Sequence, residues 1–218
     1  RMKLKKQYLS LTAVVLAGLA LAGCGGRNML FNGRDLEGWK LYLEDPDVDV
    51  LQVWTVKDGV LRCQGTPNGY MRTKKKYSDY KLHVEWRWPA EPTNSGVLML
   101  ASGPEKIWIR SIEAQLAAGS AGDIILIGQG VALTVDGKRL RDESAQYIAI
   151  DKKNPSSEKP PGEWNSYDII CTRDLIKLYV NGVLQNQGTN PSESAGWICL
   201  QSEGSPIEFR NVYIEPPR

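Results

Sequence analysis

The sequence predicts an all-β protein, built as a sandwich or jelly roll. Apolar and polar residues alternate in short runs, and turn signals separate these runs. Helical periodicity over about 11 or more residues occurs nowhere outside residues 1–23. The chain has 218 residues, of which 24% are charged and 42% hydrophobic, a balance that favours one folded domain over a disordered or fibrous chain.

Residues 1–23 have the pattern of a bacterial lipoprotein signal peptide. Basic residues open the segment, an apolar run occupies residues 9–22, and Gly23-Cys24 follows. The run of about 14 residues is shorter than the roughly 20 that a membrane-spanning helix needs. We therefore expect lipidation of Cys24, a tether over residues 24–29 and a single domain over residues 30–218. The acyl anchor would hold this domain on a membrane of the bacterial cell envelope, at the periplasmic face or the cell surface.

The charge of the chain argues against a nucleic-acid partner. Removing residues 1–23 takes away four positive charges and no negative ones, so the formal net charge changes from +2 to −2. No basic arm or patch remains for phosphate binding. Contact with a membrane is expected through the lipid anchor only.

Three cysteines remain beyond Cys24, namely Cys63, Cys171 and Cys199. All three lie among apolar residues in strand-like runs, which is typical of buried free thiols. An odd number permits at most one disulfide within the chain, and that alternative stays open. No Cys-x-x-C pair or Cys/His spacing indicates a metal site.

Hairpin signals follow one another along the chain after a first turn at Asn32-Gly33. Residues 53–56 and 60–63 flank Asp58-Gly59, and two similar turns occur at Asp136-Gly137 and Asn181-Gly182. The proline-rich residues 155–162 are expected to form a surface loop rather than a linker between domains.

Two strands carry an unusual amount of polar side chain on one face. Because neighbouring residues of a strand point to opposite faces, His83, Glu85 and Arg87 are predicted to lie opposite the apolar residues of 81–88. In the strand over 107–116, Glu113 and Gln115 likewise oppose apolar neighbours. If both polar faces belong to one concave surface, that surface is a sugar-sized site. The alternative is a solvated outer face of cross-strand ion pairs.

Several chemistries are disfavoured by what the sequence lacks. It has no glycine-rich phosphate loop, no Gly-x-Ser-x-Gly elbow and one histidine, too few for a histidine-rich zinc centre. Asp45, Asp47 and Asp49 alternate but are not followed by the glycine and glutamate of an EF-hand. Two-carboxylate glycoside hydrolysis through Glu85 and Glu113 stays possible without motif support.

Eight segments together resemble one bacterial family, the 3-keto-disaccharide hydrolase domain. In chain order they are LFNGRDLEGW (30–39), KLHVEWR (81–87), NSGV (94–97), IEAQL (112–116), PGEWNSY (161–167), NGV (181–183), ICLQSEG (198–204) and FRNV (209–212). The resemblance implies a concanavalin A-like jelly roll of two antiparallel sheets. It also implies cleavage of glycosides whose sugar carries a ketone at C3.

Such a ketone acidifies the proton on C2. A base then removes this proton, the enolate expels the C1 substituent, and water adds afterwards or not. The route needs one base, one group that stabilises the enolate oxygen and one acid. A divalent metal ion is the one cofactor that the resemblance leaves open, to polarise the ketone; the sequence requires none.

Matched to the family motifs, Glu113 is the predicted base, with His83 as the alternative if the two lie close. Arg87 is predicted to steady the enolate or a hydroxyl, and Glu85 to orient Arg87. Further predicted substrate contacts are Gln115, Asn94, Asp123, Trp108 and Trp164. Many members follow the Glu-x-Gln strand with an aspartate where this chain has Ala117-Ala118-Gly119, which disfavours a metal-ligand role for that loop.

A carbohydrate is therefore the expected partner, acted on by an enzyme. The alternative is a non-catalytic carbohydrate-binding envelope lipoprotein that uses the same face. A lectin would bind hydroxyl groups without any base of perturbed pKa. An interaction module of the cell envelope that binds no sugar is the third possibility.

Overall fold

The computed structural model describes residues 26–144 and 146–217 as a sandwich of two antiparallel sheets. The predicted signal peptide and Cys24 lie outside these residues. The single helix among them is α1 (Val50–Val53), four residues long. The all-β jelly-roll prediction is confirmed.

The larger sheet has ten strands in the order β11-β10-β15-β14-β13-β6-β17-β4-β3, with β1 beside β17. Its strands are β1 (Asn28–Met29), β3 (Trp54–Lys57), β4 (Val60–Cys63), β6 (Tyr80–Arg87), β10 (Ala132–Val135), β11 (Lys138–Arg141), β13 (Asn165–Cys171), β14 (Leu175–Val180), β15 (Val183–Thr189) and β17 (Ile207–Glu215).

The smaller sheet has seven strands in the order β12-β9-β8-β7-β16-β5-β2. They are β2 (Trp39–Leu43), β5 (Gly69–Thr73), β7 (Gly96–Ser102), β8 (Arg110–Gln115), β9 (Ile124–Ile127), β12 (Tyr147–Ile150) and β16 (Trp197–Ser202). The chain passes between the sheets repeatedly, so neighbouring strands in the sequence often lie in different layers.

The three predicted hairpin turns are present. Asp58-Gly59 joins β3 to β4, Asp136-Gly137 joins β10 to β11, and Asn181-Gly182 joins β14 to β15. Both residues of each turn have positive φ, near 50° for Asp or Asn and near 80° for Gly. This backbone matches the right-handed twist of the flanking strands, and Asn or Asp followed by Gly adopts it at little cost.

Strand alternation builds the core between the sheets. Leu82, Val84 and Trp86 of β6 point inward from the larger sheet, and Ile112 and Ala114 of β8 point inward from the smaller one. Each of these side chains is at most 1% exposed. Their polar neighbours are therefore directed to the two outer faces of the sandwich.

Two predicted boundaries differ from the structure. Residues 28 and 29, assigned to the tether, form β1 and pair with Ile214 and Tyr213 of β17. The strand expected over 107–116 begins only at Arg110, because residues 103–109 leave the sheet as a loop between β7 and β8.

The prediction of one polar face shared by β6 and β8 is wrong. β6 lies in the ten-stranded sheet and β8 in the seven-stranded sheet. Since both strands bury their apolar residues between the layers, their polar residues lie on opposite outer surfaces of the domain.

Cys63, Cys171 and Cys199 are free thiols buried in different strands. Burial raises the pKa of Cys63 to about 11, that of Cys171 to about 12 and that of Cys199 further. Within the described ranges, no helix has the length and apolarity to cross a membrane.

We expect the three thiols to be unreactive in the folded domain, because neither the thiolate nor access to reagent is available there. A chain of residues 25–218 should show no fast thiol titration with an aromatic disulfide reagent in buffer and three titrated thiols per chain in denaturant. Fewer than three in denaturant without reductant would reveal a disulfide.

Candidate active site

A cleft of about 840 Å³ opens on the outer face of the seven-stranded sheet. Of the residues predicted to contact substrate, five line it, and they come from one strand and three loops: Asn94, Trp108, Glu113, Gln115 and Asp123. The lining also includes residues that were not predicted, among them Lys106, Tyr147 and Glu203. A cleft of this volume is in the range of small-molecule sites.

Glu113 is a buried carboxyl group on this outer face, with 4% of the residue exposed. Its position follows from β8 alternation, because Ile112 and Ala114 occupy the core on the other side. In the described part of the chain it forms no ion pair with a lysine or arginine. A buried charge without a cation is costly, so the carboxyl favours its neutral form.

The Asn94-Ser95-Gly96 segment shapes the space around Glu113. Asn94 pairs with Glu203 through an isolated β-bridge, and the Ser95 hydroxyl donates to the Gln201 carbonyl oxygen over 2.9 Å. A Cβ at position 96 would overlap the Oε1 atom of Glu113 and lie 2.8 Å from the Oε1 atom of Gln201. Glycine is therefore required for the two side chains to occupy this space.

Burial and the nearby carboxylate of Glu203 raise the pKa of Glu113 to about 8. Burial also raises the pKa of Glu203, against the opposing effect of a hydrogen bond from the Asn94 side chain. Because each negative charge disfavours the other, the pair retains a proton into the neutral range. The more deeply buried Glu113 holds this proton and can act as a base once it has lost it.

Two buried amide oxygens beside this pair are unused. Oδ1 of Asn94 and Oε1 of Gln201 accept no hydrogen bond from any residue in the described ranges. An unpaired buried acceptor costs free energy, which an incoming hydroxyl donor recovers. This feature fits a ligand that carries hydroxyl groups.

Gln115 and Asp123 line the cleft but also hold its rim in place. Oε1 of Gln115 accepts from the backbone N–H groups of Leu116 and Ala117 over 2.8 and 2.9 Å. Oδ1 of Asp123 accepts from the backbone N–H of Lys152 over 2.8 Å. Their predicted contacts with sugar hydroxyls would have to use the remaining polar atoms.

Glu105 fixes the β7–β8 loop, which forms one wall of the cleft. Its carboxylate pairs with Nε of Arg72 over 3.0 Å and with Nζ of Lys40 over 2.8 Å, so the loop is joined to β5 and β2. The same loop carries Lys106 and Trp108 into the lining, and Trp108 is 45% exposed. The ion pairs thus hold an aromatic ring at the mouth of the cleft.

His83, Glu85 and Arg87 belong to the other face of the molecule, so their predicted roles beside Glu113 are corrected. Nδ1 of His83 lies 3.0 Å from Asp168. Three charge-assisted hydrogen bonds lie on the same face. Glu85 accepts from Arg210 over 2.6 Å and from Asn211 over 2.8 Å. Arg87 donates to Glu208 over 2.6 Å. This is a cross-strand network on the outer face of the ten-stranded sheet.

Trp164 is also outside the cleft, contrary to its predicted role as a substrate contact. Its ring lies against the guanidinium groups of Arg87 and Arg210, whose central carbons are 4.6 and 4.0 Å from the ring centroid. These cation–π contacts add Trp164 to the network of the ten-stranded sheet.

Some of the residues that sequence analysis missed could have been predicted from strand alternation. In β16 and its extension, Cys199, Gln201 and Glu203 alternate with the apolar Ile198 and Leu200, so strand parity alone places them outward. Tyr147 and Lys106 carried no such signal, because their place depends on an edge strand and a loop. Among the described residues, no cluster of three or more His, Cys, Asp or Glu could hold a metal ion.

Comparison with known proteins identifies relatives of this domain. The sequence model of a family described as the 3-keto-alpha-glucoside-1,2-lyase-like domain matches residues 26–215. No curated protein sequence matches the chain at a significant level. A predicted glycosyl hydrolase from Parabacteroides distasonis has a similar structure, with 25% identity and a TM-score of 0.63 over 88% of this chain and 94% of that one.

More distant structures share the fold. The β-glucanase of Bacillus licheniformis is 14% identical with a TM-score of 0.56, covering 89% of this chain and 100% of its own. A carbohydrate-binding module from Bacillus subtilis is 10% identical with a TM-score of 0.56, covering 82% and 95%. The family match and the Parabacteroides structure support a carbohydrate-active function.

Substituting Gly96→Ala should lower the free energy of unfolding by about 1–3 kcal/mol, because the new methyl group displaces Glu113. Gly96→Ala should cost less stability in a chain that already carries Glu113→Ala, because the carboxyl that the methyl group would displace is then absent. Urea denaturation of the four proteins measures the coupling, and strictly additive losses would contradict the proposed overlap.

The raised pKa of Glu113 also predicts a pH dependence of stability. Between the ordinary value of 4.5 and about 8, the folded domain holds a proton that the unfolded chain releases. Stability therefore falls as pH rises through this range. Glu113→Gln, which cannot titrate, should lose less stability between pH 5 and pH 8, by on the order of a few kcal/mol. If urea denaturation shows equal losses of stability for the wild-type domain and Glu113→Gln between pH 5 and pH 8, the raised pKa of Glu113 is contradicted.

Proposed function

Because the chain belongs to the 3-keto-alpha-glucoside-1,2-lyase-like domain family, we propose that this domain cleaves 3-keto-glycosides by elimination across C1 and C2. The observation that carries the proposal is Glu113, a buried carboxyl in the cleft with a pKa raised to about 8 beside a second carboxyl, Glu203. A base with a pKa near the working pH combines basicity with a useful ionised fraction.

In the proposed reaction the ionised Glu113 accepts the proton from C2. The electron pair of the C2–H bond forms an enolate with the C3 carbonyl oxygen. Collapse of the enolate forms the C1–C2 double bond and breaks the bond from C1 to the leaving oxygen. That oxygen takes a proton from water in the open cleft. Glu203 acts through its negative charge, which helps to raise the pKa of Glu113 and so makes Glu113 the stronger base.

Other residues of the cleft have supporting roles in this proposal. Lys106, the cation among the lining residues, supplies positive charge that offsets the negative charge developing in the reaction, the role first assigned to Arg87. The free Oδ1 atom of Asn94 accepts a sugar hydroxyl. Addition of water to the unsaturated product would make the overall result a hydrolysis, and product analysis separates the two outcomes.

The test uses the purified domain without residues 1–23, with 3-keto-trehalose, a 3-keto-glucoside and the unoxidised glycosides in parallel. We expect release of the leaving group from the keto substrates alone. Mass spectrometry of the sugar product distinguishes elimination from net hydrolysis. Sugar binding without release from any substrate would instead favour the carbohydrate-binding alternative.

Glu113→Gln should lower kcat by at least about 100-fold, the range expected for loss of a general base. The matched control is Glu37→Gln, an exposed glutamate in the loop before β2. In the wild-type domain the rate should rise from pH 6 to pH 8 as Glu113 ionises. A rate that falls over this range would identify Glu113 as an acid and overturn its role as the base.

A further inference from the structure

The cleft is chemically divided along the direction of β8. Toward the C-terminal end of β8 the lining is polar, with Gln115, Asp123, Asn94 and Glu203, and Gln201 lies beside the Gly96 gap. Toward the N-terminal end of β8 the sheet surface of β9 and β12 is aliphatic, and the lining there also includes Lys106 and Gln146. The carboxyl of Glu113 therefore lies at the boundary between a polar half and an apolar half.

Strand register defines the apolar half. Glu113 pairs with Ile125 of β9, which pairs with Ala149 of β12. In the parallel row, Ile127 pairs with Tyr147. Ile125, Ile127, Ala149 and Tyr147 all line the cleft, and the two isoleucines belong to an apolar cluster on this outer face. Their side chains present no hydrogen-bonding group except the Tyr147 hydroxyl.

Two exposed aromatic rings accompany this floor. Tyr147 is 66% exposed and Trp108 45%, and Ile107 lies beside Trp108 in the lining. Large exposed aromatic side chains beside an aliphatic floor are costly in water and indicate a ligand surface. The Glu105 ion pairs with Arg72 and Lys40 hold the Trp108 loop in position, so this part of the site exists before a ligand binds.

We propose that the apolar half receives the leaving group, and that this group is a flat apolar one, an aryl or arylalkyl aglycone, rather than a second sugar. The inference rests on the proposed function. C2 and C1 are adjacent atoms, so a base that takes the C2 proton lies next to the bond that breaks. The keto sugar then occupies the polar half, and its substituent at C1 extends over Ile125 and Ile127.

Loss of hydrogen bonds disfavours a second sugar on this floor. A pyranose lying on the aliphatic floor would lose water from several hydroxyl groups. It could regain partners from Lys106, Gln146 and the Tyr147 hydroxyl but none from the isoleucine side chains, at a cost of about 1–3 kcal/mol for each hydroxyl left unpaired. An aromatic ring loses no hydrogen bonds there and gains contact with Trp108 and Tyr147. The expected discrimination is at least about tenfold in kcat/KM.

The experiment compares benzyl 3-keto-glucoside with 3-keto-trehalose. A benzyl alcohol is chemically a poorer leaving group than a sugar hydroxyl, so a preference for the benzyl substrate reports binding and not leaving-group reactivity. We expect kcat/KM to be at least about tenfold higher for the benzyl substrate. Tyr147→Ala and Trp108→Ala should each raise its KM about fivefold or more, while changing the KM for 3-keto-trehalose by less than about twofold.

The control variant is Tyr179→Ala, on the outer face of the ten-stranded sheet, which should change neither KM. Thermal unfolding confirms that each variant is folded. An equal or higher kcat/KM for 3-keto-trehalose, or an equal effect of both cleft variants on the two substrates, would overturn the aglycone assignment and leave the proposed function standing. Cleavage of neither substrate would overturn both.

Discussion

The direction in which Glu113 points depends on the packing of its neighbours between the two sheets. Ile112 and Ala114 lie in the core of the sandwich, so the residue between them must face outward. Gly96 on the adjoining strand leaves the room that its carboxyl occupies. Burial without a cation then raises the pKa of Glu113. One packing constraint thus leads from hydrophobic alternation to a buried carboxyl of raised pKa.

The two outer faces of the domain use similar residues with opposite results. On the ten-stranded sheet, Glu85 and Arg87 are each paired with a group of opposite charge, and the pairs join neighbouring strands. On the seven-stranded sheet, Glu113 and Glu203 lie beside each other and share the effect of burial. Polar composition is therefore a poor guide to function, whereas the absence of a compensating charge is a better one.

The outer face of the seven-stranded sheet combines a polar and an apolar surface in one cleft. Its polar half contains unused hydrogen-bond acceptors, and its apolar half exposes two aromatic rings over an aliphatic floor. A glycoside of a flat apolar alcohol has the same division, with hydroxyl groups at one end and carbon surface at the other. The boundary falls where the bond to the leaving group would lie. The position of Glu113 and the two kinds of cleft surface are therefore consistent with the proposed orientation of substrate.

Local chemistry in the sequence determined the fold class, the Asp-Gly and Asn-Gly hairpins and the outward direction of Glu113, because turn conformation and strand alternation depend only on near neighbours. The pairing of strands could not be predicted from near neighbours in the sequence. His83 has the same alternation as Glu113, yet its strand pairs with β13 and β17 in the other sheet. Likewise Tyr147 reaches the cleft only because β12 forms the edge beside β9. Strand order arises from contacts between distant segments, so only the tertiary structure decided which polar residues meet.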